Sequence, residues 1–297
     1  MKSSVLIALS SLVLIGFLSS PVGAQKDKDK DKKQVVQGPL LTRTITRHEN
    51  TKLLYGGTLT VSGAPAGSIT IEGWNRSELE VDASIELQAP TAADLDLLAT
   101  VNTFIIDADV DHMRILTGGT HDRDFMKKTF KNFPKALIGL PWKIDYHIKV
   151  PALTDLDIDA GNGPISLSGV EGALHLNAVT SDANLSLTGG LVSVLVQVGT
   201  VNLRIPARGW HGLGGEFKLA AGKLNVELMP GFSADLNAVV MRSGSITLSA
   251  PDVKPRERDS ITARSMRARA GVGGATLEFT VGDGTIEIKQ PGEAAKP

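Results

Sequence analysis

No cysteine occurs among the 297 residues, which excludes disulfides, thiolate nucleophiles and cysteine-ligated zinc. Aromatic residues are scarce, with 8 Phe, 3 Trp and 2 Tyr, and so few large side chains suit repeated short strands better than an enzyme cleft. An excess of one charge is also missing: 31 Lys and Arg stand against 32 Asp and Glu. That balance excludes a strongly basic nucleic-acid binder and a highly acidic disordered chain. Long hydrophobic runs are absent as well. The best of them, Val5 to Leu18, is about 14 residues interrupted by serines and Gly16, short of the roughly 20 that span a bilayer as a helix.

What is present begins with an address. Lys2, the apolar stretch, the helix-breaking Pro21 and the small residues Val22-Gly23-Ala24 together read as a secretory signal peptide over residues 1–24. The expectation is an exported chain, periplasmic or extracellular, with no transmembrane segment after cleavage. Lys26 to Lys33 alternates Lys and Asp with nothing apolar, and such a stretch buries nothing. Residues 25–50 are therefore expected to be a charged, flexible tether. Residues 51–290 are expected to form a single β-repeat domain and residues 291–297 a disordered tail.

From about residue 55 onward, apolar and polar residues alternate in short bursts between turn residues, which is the pattern of many short strands. In the second half the bursts are nearly periodic. Gly163 leads PISLS, Ser181 leads DANLSL, Gly199 leads TVNLRI, Gly222 leads KLNVEL, Gly244 leads SITLS and Gly284 leads TIEI. The steps are 18, 18, 23, 22 and 40 residues, the last read as two steps of 20. A period near 20 with a turn residue before each strand predicts an all-β, Gly-punctuated repeat: a β-solenoid or β-helix-like stack of about seven coils over Leu153–Ile288. A β-sandwich is the alternative, because strands every 8–12 residues also fit it.

The segment GSITIEGWNRSELEV, Gly67 to Val81, resembles the opening signature of the bacterial putative-adhesin family. Val150 to Val179 is similar to that family's central repeat, and GGATLEFTVGDGTIEI, Gly273 to Ile288, to its closing strand pair. The resemblance covers about residues 53–290. It implies an exported β-strand-repeat domain of unknown function and carries no catalytic motif.

Residues 91–143 break the pattern and read as a partly irregular insertion. Ala92 to Thr103 is expected to be a helical turn or a loop, and Phe104 to Ile115 returns to strand character. Arg123 to Lys143 holds Arg123, Lys127, Lys128, Lys131, Lys135 and Lys143 against Asp124 alone, interleaved with Phe125, Phe130, Phe133 and Trp142. Two readings are open. The phenylalanines cap one end of the β-stack while the lysines face water, or Lys127, Lys128, Lys131, Lys135, Phe130, Phe133 and Trp142 form a surface for an anionic glycan, lipid or envelope protein.

Acidic residues and histidines recur through the rest of the chain. Asp107, Asp109 and Asp111 start like a calcium loop, but His112 and Gly118 occupy the positions that need Gly and an acid. Asp155, Asp157 and Asp159 alternate along a strand and read as a solvated face; they are the only candidates for an acid/base pair. The six histidines show no ligand spacing. Lys254 to Ala270, rich in Arg, reads as an exposed loop. The expectation is a non-enzymatic, adhesin-like protein without cofactor or metal, presenting an elongated surface to an unknown envelope protein, glycan or surface. An envelope scaffold or stress sensor, and a polysaccharide-active enzyme on a β-solenoid, are the alternatives.

Overall fold

The computed structural model describes residues 39–109, 111–258 and 260–291. The expected signal peptide over residues 1–24, residues 25–38 of the expected tether and residues 292–297 of the expected tail lie outside them. In chain order the elements are β1 (Leu41–Lys52), β2 (Thr58–Ala66), β3 (Ile69–Trp74), β4 (Glu78–Ala89), α1 (Ala92–Val101), β5 (Thr103–Ala108), β6 (His112–Gly118) and α2 (Arg123–Thr129). After a short 3-10 turn at Lys135–Leu137 come β7 (Trp142–Pro151), β8 (Asp155–Asn162), β9 (Ile165–Ser168), β10 (Leu174–Ser186), β11 (Gly189–Ile205) and β12 (His211–Leu228). The last are β13 (Ala234–Ser249), β14 (Val253–Pro255), β15 (Ser265–Ala270) and β16 (Thr276–Lys289). The protein is all-β apart from the helices, and all its strands join one large mixed sheet.

The repeating piece is a two-armed rung: a first arm, a turn residue, and a second arm. Leu174 pairs in parallel with Leu156 on one side and Val192 on the other, while Leu185 pairs with Leu167 and Leu203. Each arm alternates one residue inward and one outward, so the inward Leu, Ile and Val of successive rungs stack on their equivalents. Leu176, Val196, Val226, Val281, Ile286 and Ile288 are fully buried in one core cluster. A buried aliphatic side chain of this size contributes about 1.5–3 kcal/mol relative to exposure, but only when the rung beside it covers it.

The turn residues form a column. Gly199 pairs with Gly222 and Gly222 with Gly284. Gly222 has φ +140°, and a Cβ there would lie 1.8 Å from the carbonyl oxygen of Gly199; Gly284, at φ +143°, meets the Gly222 oxygen in the same way. The left-handed backbone and the closeness of the next rung each require glycine. Ser181 takes one place in this column, buried, with its hydroxyl oxygen lacking a hydrogen-bond partner.

Spatial order departs from chain order. β16 lies between β12 and β13, parallel to both, so Gly244 and Gly284 are direct neighbours. The 40-residue step thus corresponds to one rung spacing and not to two coils. Residues 250–275, between them, instead reverse at the end of the stack, with β15 antiparallel to β13 and β14 antiparallel to β15. Lys254–Ala270, expected as an exposed loop, therefore contains two strands. At the opposite end β2 and β3 sit between β6 and β7 on one side and β8 and β9 on the other. This adds two rungs to the six formed by residues 155–289. β5 and β4 then run antiparallel against β6 and β7, and β1 pairs with β4 from Leu41↔Ala89 to Lys52↔Glu78.

Two expected boundaries move accordingly. Residues 41–50, assigned to the tether, are strand β1. Within 91–143, β5, β6 and the start of β7 belong to the sheet, so the true excursions are α1 and residues 119–141. α1 is a ten-residue helix because Thr91 caps it, its side chain accepting from the Asp94 N–H, while Leu95, Leu98 and Val101 bury one face. β1 turns charges inward: Arg47 donates to Glu49, to Thr103 and to the Phe104 carbonyl, and lies 4.3 Å above the Phe104 ring. Inward charge on an outer strand discourages further strand addition.

Candidate functional site

The outward residues of the second arms form a continuous polar face. One row runs Thr70, Ser166, Asn184, Asn202, Asn225 and Glu287, each beside the next in register. Asn202 donates to the Asn184 side-chain oxygen at 2.9 Å, and Asn225 donates to that of Asn202 at 2.8 Å. The neighbouring row carries Ser168, Ser186, Arg204, Glu227 and Lys289. A hollow of about 420 Å³ lies over these two rows. A second, of about 490 Å³, follows on the same face beside Thr46, His48, Thr70, Asp82 and His147.

Basic and acidic side chains meet across this face between strands. His48 meets Asp82 at 2.7 Å, His147 meets Glu72 at 3.5 Å and Lys149 meets Glu80 at 2.8 Å. The hydrogen bond to Asp82 holds the His48 imidazole above its ordinary pKa, and the bond to Glu80 does the same for Lys149. Partial burial pushes the Asp145 carboxyl up, but hydrogen bonds from the Ser68 N–H and hydroxyl and from Lys143 outweigh it and hold the pKa low. The face therefore offers fixed donors and acceptors, with its charges largely paired.

The basic-aromatic segment forms a lobe between β6 and β7. Asp122 caps α2, its carboxylate accepting from the N–H groups of Asp124 and Phe125. Phe125, Phe130 and Phe133 form a chain of rings with centroids 5.9 and 6.5 Å apart, and Phe125 rests on Gly118, where a Cβ would lie 2.9 Å from its ring. Leu137 is buried in the core cluster and Phe133 packs against it. The sequence-predicted residues are partly brought together: Lys127, Lys131, Lys135, Phe130 and Phe133 line one hollow of about 360 Å³ with Arg123, Met126 and Ile138. Lys128 and Trp142 are not in its lining. Trp142 packs on His121 at 5.3 Å and over Gly119. Loss of water around the His121 ring lowers its pKa. Lys143 pairs with Asp145 and Glu86 at 3.1 and 3.7 Å and is not part of the hollow either.

Four of the six aspartates in the acidic rows hold side-chain contacts to neighbouring segments, and Asp159 stays exposed. Asp107 and Asp109 both reach Arg114, at 2.7 and 3.3 Å. Asp155 accepts from the Ala173 N–H, and Asp157 meets His175 at 2.9 Å. Among the described residues no group of three or more His, Asp or Glu is arranged to hold a metal ion. The His175–Asp157 and Asn202–Asn184 pairs were not anticipated from the sequence. Their signal was there, since both have the 18-residue offset of the glycines. Lys254, Arg256 and Arg269 adjoin a hollow of about 700 Å³ that Asp252 and Glu257 also line. Asp235 pairs with Arg269 at 2.8 Å there, and that bond holds its carboxyl below the usual range.

No described helix is long and apolar enough to cross a membrane. No protein-family model matches the chain, and no curated protein matches it. Among solved structures, a putative cell adhesion protein from Clostridium sporogenes is similar at 13% identity and a TM-score of 0.41, covering 83% of this chain and 100% of that one. A putative adhesin from Bacteroides fragilis gives 12% identity and 0.31 over 84% and 97% of the two chains. A putative lipid binding protein from Parabacteroides distasonis gives 11% and 0.22 over 83% and 96%. None of these scores reaches 0.5.

Proposed function

We propose that this protein is an exported, non-enzymatic, adhesin-like binder whose rungs form a short β-solenoid, and that it presents the polar face of its second arms to an envelope or extracellular glycan. The observation that carries the reading is the register of that face. Hydroxyl and amide groups recur at one strand spacing, about 4.8 Å, over five rungs, with the Glu287 carboxylate on the sixth, beside two adjoining hollows and held in place by the asparagine ladder. Such an array offers many weak, evenly spaced hydrogen bonds to an extended polar chain. Rigid positioning limits the ordering cost of binding. Two of the three candidate acids support the same reading, since Asp155 and Asp157 hold neighbouring rungs together.

The test is a glycan and envelope-fraction binding screen with the protein and with a double variant, Ser168→Arg and Asn184→Arg, both at exposed positions. Binding that the double variant loses supports the proposal. Folded protein that binds nothing, or binding that the variant keeps, removes this face from consideration.

A further inference from the structure

We propose that the lobe at residues 119–141 docks on an anionic lipid surface, its cations meeting phosphate headgroups and its hollow taking the first methylenes of a lipid chain. The lobe holds Arg123, Lys127, Lys128, Lys131 and Lys135 against Asp122 and Asp124. Asp122 is committed to the α2 cap. Asp124 reaches only Lys127, at 3.7 Å, with both side chains more than 70% exposed, and a pair that open to water neutralises little. Arg123, Lys128, Lys131 and Lys135 make no ion pair among the described residues. The larger hollow beside Lys254, Arg256 and Arg269 is different, because Asp235, Asp252 and Glu257 balance its cations. In the lobe, five cations face two aspartates, one tied up in the helix cap and the other only loosely paired.

The same place is apolar underneath. Met126, Phe130, Phe133 and Ile138 line the hollow between the cations, and Ile138 is 47% exposed at its rim. Cations above an apolar floor match a headgroup above its chain, and lysine stems can lie on that floor while their ammonium groups stay in water. At about 360 Å³ and open to solvent, the hollow would leave most of a free amphiphile's chain in water. A bilayer closes the open side by itself, which is why a lipid surface is the occupant. This site lies on other residues than the polar face, so either can fail without the other.

The experiment is cosedimentation of the protein with vesicles of phosphatidylcholine alone and of phosphatidylcholine with phosphatidylglycerol. Binding is expected only to the anionic vesicles and should weaken as salt is raised. The triple variant Lys127→Ser, Lys131→Ser, Lys135→Ser should bind about a hundredfold more weakly, each lysine near an anionic leaflet counting for roughly a fivefold factor. Ile138→Ser should also weaken binding with all charges kept. Both variants change exposed positions, and circular dichroism checks that they fold. Dodecyl phosphate at monomeric concentration serves as the free-amphiphile arm and is expected to show no saturable binding. The proposal is overturned by equal binding to both vesicles, by a triple variant that binds as before, by an Ile138→Ser variant that binds as before, or by saturation with dodecyl phosphate without vesicle binding.

Discussion

The rung stack and the basic lobe are held together in different ways. In the stack, neighbouring strands exchange ladder hydrogen bonds over long registers, such as Leu191 to Ile205 against Gly214 to Leu228, and the inward side chains of the interior rungs are covered from both sides. The lobe has one seven-residue helix, a 3-10 turn and three phenylalanine rings that meet edge to face or tilted. A substitution in the stack disturbs backbone pairing, which has no slack, whereas one in the lobe disturbs side-chain packing, which can shift. Stability should therefore concentrate in the stack, and tolerance to change in the lobe.

The strongest way to break that contrast is the glycine column. Gly222→Ala places a methyl group against the Gly199 carbonyl oxygen in a left-handed backbone and is expected to cost about 3 kcal/mol or more. Urea unfolding monitored by circular dichroism would show it, and a loss under 1 kcal/mol would mean that the rungs can part. Leu203→Ala, at a core position 1% exposed, should cost about 2–5 kcal/mol in the same measurement. In the lobe, the triple lysine variant should stay within about 0.5 kcal/mol of the parent protein, and a larger loss would show that the lobe stabilises the stack electrostatically.

Smaller effects sharpen the comparison. Ser181→Ala removes a buried hydroxyl that has no partner and should be neutral or raise stability by up to about 1 kcal/mol; clear destabilisation would reveal a hidden hydrogen bond. The two regions should also titrate in opposite directions. His48, bonded to Asp82, has its folded pKa raised above the ordinary 6.5. Its contribution is therefore fully present below that value and is lost as pH rises through the raised one. His121, packed on Trp142, has its folded pKa lowered, so protonation favours the unfolded chain and stability falls as pH drops below 6.5. Proton NMR of the two imidazole rings during a pH titration measures both directions at once, and two equal midpoints would contradict the geometry around each ring.

Much of the stack was legible because strand pairing is periodic. Gly163, Gly199 and Gly222 announced the turns, and the alternation in PISLS or TVNLRI announced which residues face inward. α1 was less legible: Leu95, Leu98 and Val101 fit a helical face, but the Thr91 cap that commits the segment to ten helical residues is a local hydrogen bond. The polar face was readable only in part. Asn184, Asn202 and Asn225 stand in equivalent positions after their turn residues, yet an asparagine outside a strand and one in a ladder look the same until the register is known. The lobe's charge was plain, but its hollow was not, since Trp142 and Lys143 are adjacent in sequence to the cluster and are drawn to β7 instead.

The amino-acid sequence by itself determined most of the stack's strand content, its turn positions and its inward residues, though not β1, β14 or β15, because backbone sterics at glycine and the two-residue period of a strand act locally. It did not determine which rung lies beside which. One Leu- and Val-lined rung offers the next the same ladder and the same apolar row, so any of several neighbours satisfies the local rules equally. Only the tertiary structure placed β16 between β12 and β13 and β2 between β6 and β8. In both places the chain goes out to form a reversing end and must come back, and the gap left beside the earlier rung is where its unpaired backbone and uncovered apolar row are satisfied.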